Sequence, residues 1–142
     1  MPRPLVALLL AFALPALAAE TASGDIAART ARWHLTPRPE ARAAVGYEAT
    51  FTRAELERIA RGFEPESMDD KWVIVADGDR VAFHRSWTGD CIFELRLEPT
   101  KDGARVASSW VSRGGGYASA GIEDDRRTLD ALVRNFLLAP QR

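Results

Sequence analysis

Between residues 72 and 113 the chain alternates strand-forming runs with short Asp- and Gly-bearing breaks, and this pattern leaves few folds open. Trp72 to Ala76 runs into Asp77-Gly78-Asp79, and Val81 to Trp87 into Thr88-Gly89-Asp90. Cys91 to Glu98 then meets the longer break Pro99-Thr100-Lys101-Asp102-Gly103, after which Ala104 to Arg113 follows. Connections this short join antiparallel neighbours, because a parallel crossover needs a dozen or more residues. The four runs therefore predict a four-stranded antiparallel β-meander.

A helix is predicted on each side of it. Thr52 and Glu55 have the spacing of a capping box, and Phe51 and Leu56 that of a hydrophobic staple. Leu56, Ile59, Ala60 and Phe63 recur at helical spacing, and Gly62 is a natural stop. Near the other end, Leu129, Leu132, Val133, Phe136 and Leu137 form a second apolar stripe, with Asp124 or Asp125 as the expected cap and Pro140 as the terminator. The fold expected is α+β, with the N-terminal and C-terminal helices packed on one face of the meander, against Phe83 and Phe93. The glycines at 114–116 read as a loop, with Tyr117 as its one contact residue, and no Gly-Lys-Ser/Thr follows to make a phosphate loop.

Strand alternation sorts the polar residues. Three-residue loops at 77–79 and 88–90 would set Trp72 and Glu94 on either side of His84, and would put Arg85 on the otherwise apolar face opposite Phe93. For the fourth run, either Val106 and Trp110 or Ala107 and Val111 would face the core. Asp69-Asp70-Lys71 stands just before the first strand.

The N-terminus reads as a cleavable secretory signal. Arg3 precedes the apolar run Leu5 to Leu14, Pro15 breaks it, and Ala16-Leu17-Ala18-Ala19 offers small residues for cleavage. The run is about half the roughly 20 residues of a bilayer span. The domains expected are a signal peptide at 1–19, a partly ordered N-terminal arm at 20–50, broken by Thr36-Pro37-Arg38-Pro39, and an α+β domain at 51–139. Periplasmic or secreted localisation follows, with no membrane anchor after signal cleavage. With 19 basic and 20 acidic residues in 142, the charge balance gives no support for a nucleic-acid partner. The lone Cys91 allows no internal disulfide and, beside Ile92 and Phe93, reads as an inert core residue. Two His and one Cys, in no ligand spacing, give no metal site, and no cofactor is expected.

Three readings of the polar cluster remain open. In the first, the ligand-binding candidates Arg85, Trp87, Trp72, Asp69, Asp70 and Lys71, with His84, present a surface to an unknown small molecule or protein. In the second, His84 is a general base held by Glu94 with Ser86 as nucleophile, giving a small hydrolase or transferase, although no Gly-x-Ser-x-Gly elbow is present. In the third, Arg85 is paired with Asp69, Asp70 or Asp90 in a structural knot.

The stretches Met68-Asp69-Asp70-Lys71-Trp72, Phe83-His84-Arg85-Ser86-Trp87-Thr88-Gly89 and Cys91-Ile92 resemble a family of small, uncharacterised bacterial proteins. The resemblance spans residues 51–138. It implies that His84, Arg85, Ser86, Trp87 and the 69–72 run belong together, and it brings no activity. The sequence thus points to an exported, uncharacterised α+β binding or interaction module, with the hydrolase or transferase as the alternative.

Overall fold

A computed structural model describes residues 25–114 and 116–140. The signal-peptide reading falls on residues outside this range. Helix α1 occupies 25–33, strand β1 is Arg42–Ala44, β2 is Thr50–Thr52, and α2 is Arg53–Arg61. Then come β3 (Trp72–Asp77), β4 (Arg80–Arg85), β5 (Cys91–Pro99) and β6 (Gly103–Ser112). Helix α3 (Ile122–Leu132) runs into a wider π-helical turn, Val133–Leu138. No described helix is long and apolar enough to cross a membrane.

The fold is α+β with an antiparallel sheet, but the sheet has six strands, not four. The expected meander is there as β3-β4-β5-β6. The segment read as an arm adds β1 and β2, both paired antiparallel with β6. They lie along one edge, Ala43 opposite Val111 and Phe51 opposite Ala104. The interruption between them is bridged by Ser109, whose Oγ accepts from Tyr47 N at 3.0 Å. Short runs such as Arg-Ala-Ala and Thr-Phe-Thr carry too little alternation to show in sequence.

Registers differ from those expected from three-residue loops. The β3–β4 hairpin closes at Asp77 and Arg80 over the two residues Gly78 and Asp79, with Gly78 at φ +62°. A positive φ at the first loop position suits a two-residue hairpin. One residue of slip inverts every side chain, so Trp72 lies opposite Arg85 on the helix side and Val73 lies opposite His84. In β5, Phe93 pairs with Phe83 and Cys91 with His84, with an irregularity between. This bulge moves Cys91 off the core face while Ile92 and Phe93 both enter the core. A second irregularity leaves Ala107 unpaired between Val106 and Ser108. Both Val106 and Val111 can therefore pack on the core, a mixture of the two alternatives that alternation offers.

Helix α2 is capped as its sequence predicts. Thr52 Oγ1 accepts from Glu55 N at 3.2 Å, and Glu55 Oε1 accepts from Thr52 N at 2.9 Å. Ile59 of α2 and Leu129, Leu132, Val133 and Leu137 of the C-terminal helix share one core with Ile74, Val81, Phe83, Phe93 and Leu95. Burying each of these large side chains contributes about 1.5–3 kcal/mol. Phe63 and Phe136 meet edge to face at 4.7 Å between ring centroids, and Tyr117 packs likewise on Phe93 at 5.3 Å. Neither Asp124 nor Asp125 caps α3. The helix starts earlier, after Gly121, and Asp125 is buried, bound by Ser119 Oγ at 2.8 Å and Arg113 at 3.2 Å.

On the opposite face of the sheet, Thr30 of α1 and residues 35–38 of the chain that follows it line a hollow with Val75, Ala82 and His84. Arg29 donates to the carbonyls of Arg61 and Ile74, and Arg32 to Glu64. Helix α1 ends with Leu35 N donating to Thr30 O at 3.0 Å and His34 in the left-handed region at φ +53°. Residues 34–40 then cross the sheet, which positions the site described next.

Candidate functional site

Alternation places Arg80, Ala82 and His84 of β4 on the face opposite the core shared with α2 and α3, together with Val73, Val75 and Asp77 of β3. Glu94 lies opposite Ala82, and Trp110 opposite Glu94. The 34–40 segment passes over these residues and leaves a hollow of about 420 Å³ beneath it. Apolar walls come from Leu35, Pro37, Val75 and Ala82, and polar groups from Arg38, Asp77, Arg80, His84, Cys91 and Glu94. The volume falls in the range of roughly 300–1,000 Å³ common to small-molecule sites.

Glu94 organises one end. Its Oε1 accepts from Arg38 and Arg80, each at 2.8 Å, and from Trp110 Nε1 at 3.1 Å. Residue 94 is buried, whereas the two guanidiniums are partly exposed at the rim. Both Arg38 and Arg42 also lie over the Trp110 ring, at 6.0 and 5.8 Å. All three donors use one carboxylate oxygen. Among the described residues Oε2 takes part in no hydrogen bond and is not sealed from solvent.

His84 is held at its other nitrogen. Gly89 O receives Thr36 N at 3.0 Å and lies 2.9 Å from His84 Nδ1. A carbonyl can only accept, so Nδ1 carries the proton. Burial pushes the His84 pKa below the ordinary 6.5, against the opposing pull of the Gly89 carbonyl and of Glu94 and Asp90. The ring is therefore neutral at neutral pH, and Nε2 is a bare acceptor. Among the described residues it too has no partner and is not sealed. Cys91, across the strand pair, is buried, and its thiol is pushed up to about 12 by burial and then by Glu94. A thiol so raised is no nucleophile at neutral pH.

The other sequence candidates lie elsewhere. Ser86 is beyond the end of β4, where its N donates to Lys71 O and its Oγ donates to Asp70 O at 2.8 Å. It lines a second hollow, of about 400 Å³, with Trp33, Pro65, Met68 and Trp87. Trp87 and Met68, 66% and 73% exposed, are the large apolar side chains left open among the described residues. Lys71 Nζ sits 4.8 Å from the Trp87 ring centroid. Asp69 N donates to Ser67 Oγ, and Asp70 Oδ2 accepts from Glu66 N. Trp72 is buried in the helix-side core, with the Arg85 guanidinium 4.9 Å from its ring centroid. Arg85 enters no ion pair among the described residues, which corrects the expected pairing with Asp69, Asp70 or Asp90. Half-buried at the C-terminal end of β4, it stacks on the Trp72 ring instead. The heptad 83–89 is thus distributed over both faces and a turn, as alternation requires.

Arg38 and Arg80 escaped sequence reasoning. For Arg80 the signal was present, since it is four residues before His84 and shares its face. For Arg38 there was none, because its docking is a contact 56 residues distant. Among the described residues, no three His, Cys, Asp or Glu side chains are grouped to hold a metal ion. Comparison with protein-family models, curated proteins and solved structures gives no match for the chain.

Proposed function

We propose that the chain is an exported ligand-binding module whose small-molecule ligand occupies the hollow between the 34–40 segment and the sheet. The observation that carries this reading is that two residues lining one concavity, His84 and Glu94, each keep an acceptor, Nε2 and Oε2, with no hydrogen bond among the described residues. A buried imidazole that has lost part of its hydration costs stability unless the lost partner is supplied. Export rests on the signal-like N-terminus, and periplasmic or secreted localisation follows from it.

The alternative, a small hydrolase or transferase using His84, Glu94 and Ser86, has less support. The Ser86 proton is committed to Asp70 O, and Ser86 lines the other hollow. The test is a metabolite panel read by NMR at the His84 ring protons. A ligand of the hollow moves His84 and leaves the Trp87 indole unchanged; compounds that move only Trp87, or none that move either, would remove the proposal.

A further inference from the structure

From the arrangement of donors and acceptors we infer that the ligand is a neutral, hydroxyl-rich small molecule of the sugar or polyol class. This rests on the reading of the hollow as the ligand site. Two of its lining residues carry acceptors that no described residue uses. His84 Nε2 is a lone pair, because Nδ1 is committed as donor to Gly89 O. Glu94 Oε2 is a carboxylate oxygen left over after Arg38, Arg80 and Trp110 have all bonded Oε1. The rim presents donors, the remaining N–H groups of Arg38 and Arg80, and one further acceptor, Asp77.

Each charge class of ligand is disfavoured by part of this set. An anion entering the hollow meets the Glu94 carboxylate and an imidazole with no proton to offer on its open side. A cation must displace or pass two guanidiniums already drawn in by Glu94. The four charges at the site, Arg38 and Arg80 against Glu94 and Asp77, balance, so there is no net field to repay the desolvation of an ion. A hydroxyl suits both ends. Its proton goes to Nε2 or Oε2, and its oxygen accepts from a guanidinium. Neighbouring hydroxyls on one carbon frame can address several of these atoms together, while the C–H face of the frame packs on Leu35, Pro37, Val75 and Ala82. A site built around hydroxyl bonds also rejects analogues lacking them, because its polar atoms are then left unpaired.

The purified protein is titrated with D-glucose, D-galactose, D-mannose, N-acetyl-D-glucosamine and myo-inositol, and with the charged counterparts D-gluconate, D-glucuronate and D-glucosamine. His84 ring shifts and the melting temperature are followed. The inference expects at least one neutral member to move His84 and raise the melting temperature, with its charged counterparts at least tenfold weaker. Two variants separate contact from folding. His84→Asn keeps a donor near the Nδ1 position and removes the acceptor at Nε2, and His84→Gln places an amide oxygen near Nε2 and gives up the bond to Gly89. Affinity should fall at least tenfold in His84→Asn and recover in part in His84→Gln, while stability follows the opposite order. A charged counterpart binding as well as its neutral parent overturns the ligand class and leaves the hollow standing as a site. So does a panel in which no neutral member moves His84 while some other metabolite does. If no compound of any class moves His84, the binding reading falls with it.

Discussion

Arg38 Nη2 lies 2.8 Å from Glu94 Oε1, so a residue of the segment crossing the sheet is fastened to a buried carboxylate on the middle strand. The same oxygen takes Arg80 and Trp110, and one side chain therefore ties the crossing segment, two strands and the rim of the hollow together. Arg38→Ala should cost about 1 kcal/mol or less in global stability, because the guanidinium is partly exposed. Glu94→Ala strands the Trp110 N–H and two guanidiniums, and should cost about 2 kcal/mol. That is below the ~3–5 kcal/mol of a sealed pair, because both arginines can turn to water. Hydrogen exchange distinguishes the two effects: Arg38→Ala should speed exchange at 34–40 and leave β4 and β5 protected.

The His84 pKa, lowered by burial, sets a pH dependence. Above the unfolded value of about 6.5 the ring is neutral in both states and contributes no slope. As pH falls below that value the unfolded chain takes up a proton that the folded chain resists, so stability declines until the folded pKa is passed. Denaturant melts at pH 7.5 and 5.5 should show the wild type losing more than His84→Asn over this interval. Equal losses in the two proteins would mean that His84 is not buried as a neutral ring.

Gly89 and Gly78 both have positive φ, +80° and +62°, but only one is crowded. A Cβ at Gly89 would stand 2.1 Å from His34 O, whereas one at Gly78 meets nothing within 4 Å. Gly78→Ala should cost the left-handed strain alone, about 1–2 kcal/mol. Gly89→Ala should cost more, because it also pushes residues 34–36 away and disturbs the acceptor that orients His84. Urea melts of both variants, with the His84 ring resonances of the second, check this.

Cys91 should be unreactive in the folded protein. It is buried with its thiol raised to about 12, so the thiolate fraction at pH 8 is about 10⁻⁴. Labelling by an aromatic disulfide should proceed at the rate of opening, and should become fast in denaturant. Rapid stoichiometric labelling of the native chain would contradict the burial.

Arg85 stacked on Trp72 should be far less costly to remove than a buried ion-paired arginine. Arg85→Ala is expected to lose about 1 kcal/mol, within the range for a partly exposed cation–π contact plus its packed stem. A loss of 3 kcal/mol or more would indicate a buried pair.

Local signals carried well from sequence to structure. The Thr52–Glu55 capping box, the four meander runs and the apolar faces of α2 and α3 are each written in residues a few positions apart, and each formed. His84 and Glu94 also share a face as alternation predicts, although Glu94 pairs with Ala82 and His84 with Cys91, a register two residues from the one expected, which keeps the face. What failed was counting through irregular points. A two-residue turn at Gly78-Asp79 and bulges at Cys91-Ile92 and Ala107 each shift the register by one, and each shift transfers side chains between faces. Trp72 moved to the core in this way, and Val106 joined Val111.

By itself, the sequence determined the α+β class, the meander order, the helix boundaries at Thr52 and Gly62, and the burial of Phe83 and Phe93. All of these follow from periodicity and from caps that act within a turn or two. Tertiary structure alone decided that residues 34–40 cross the sheet, that Arg38 meets Glu94, and that Ser86 belongs to a different hollow from His84. Those relationships depend on contacts between distant segments, whose free energy comes from burial and charge pairing that no local pattern encodes.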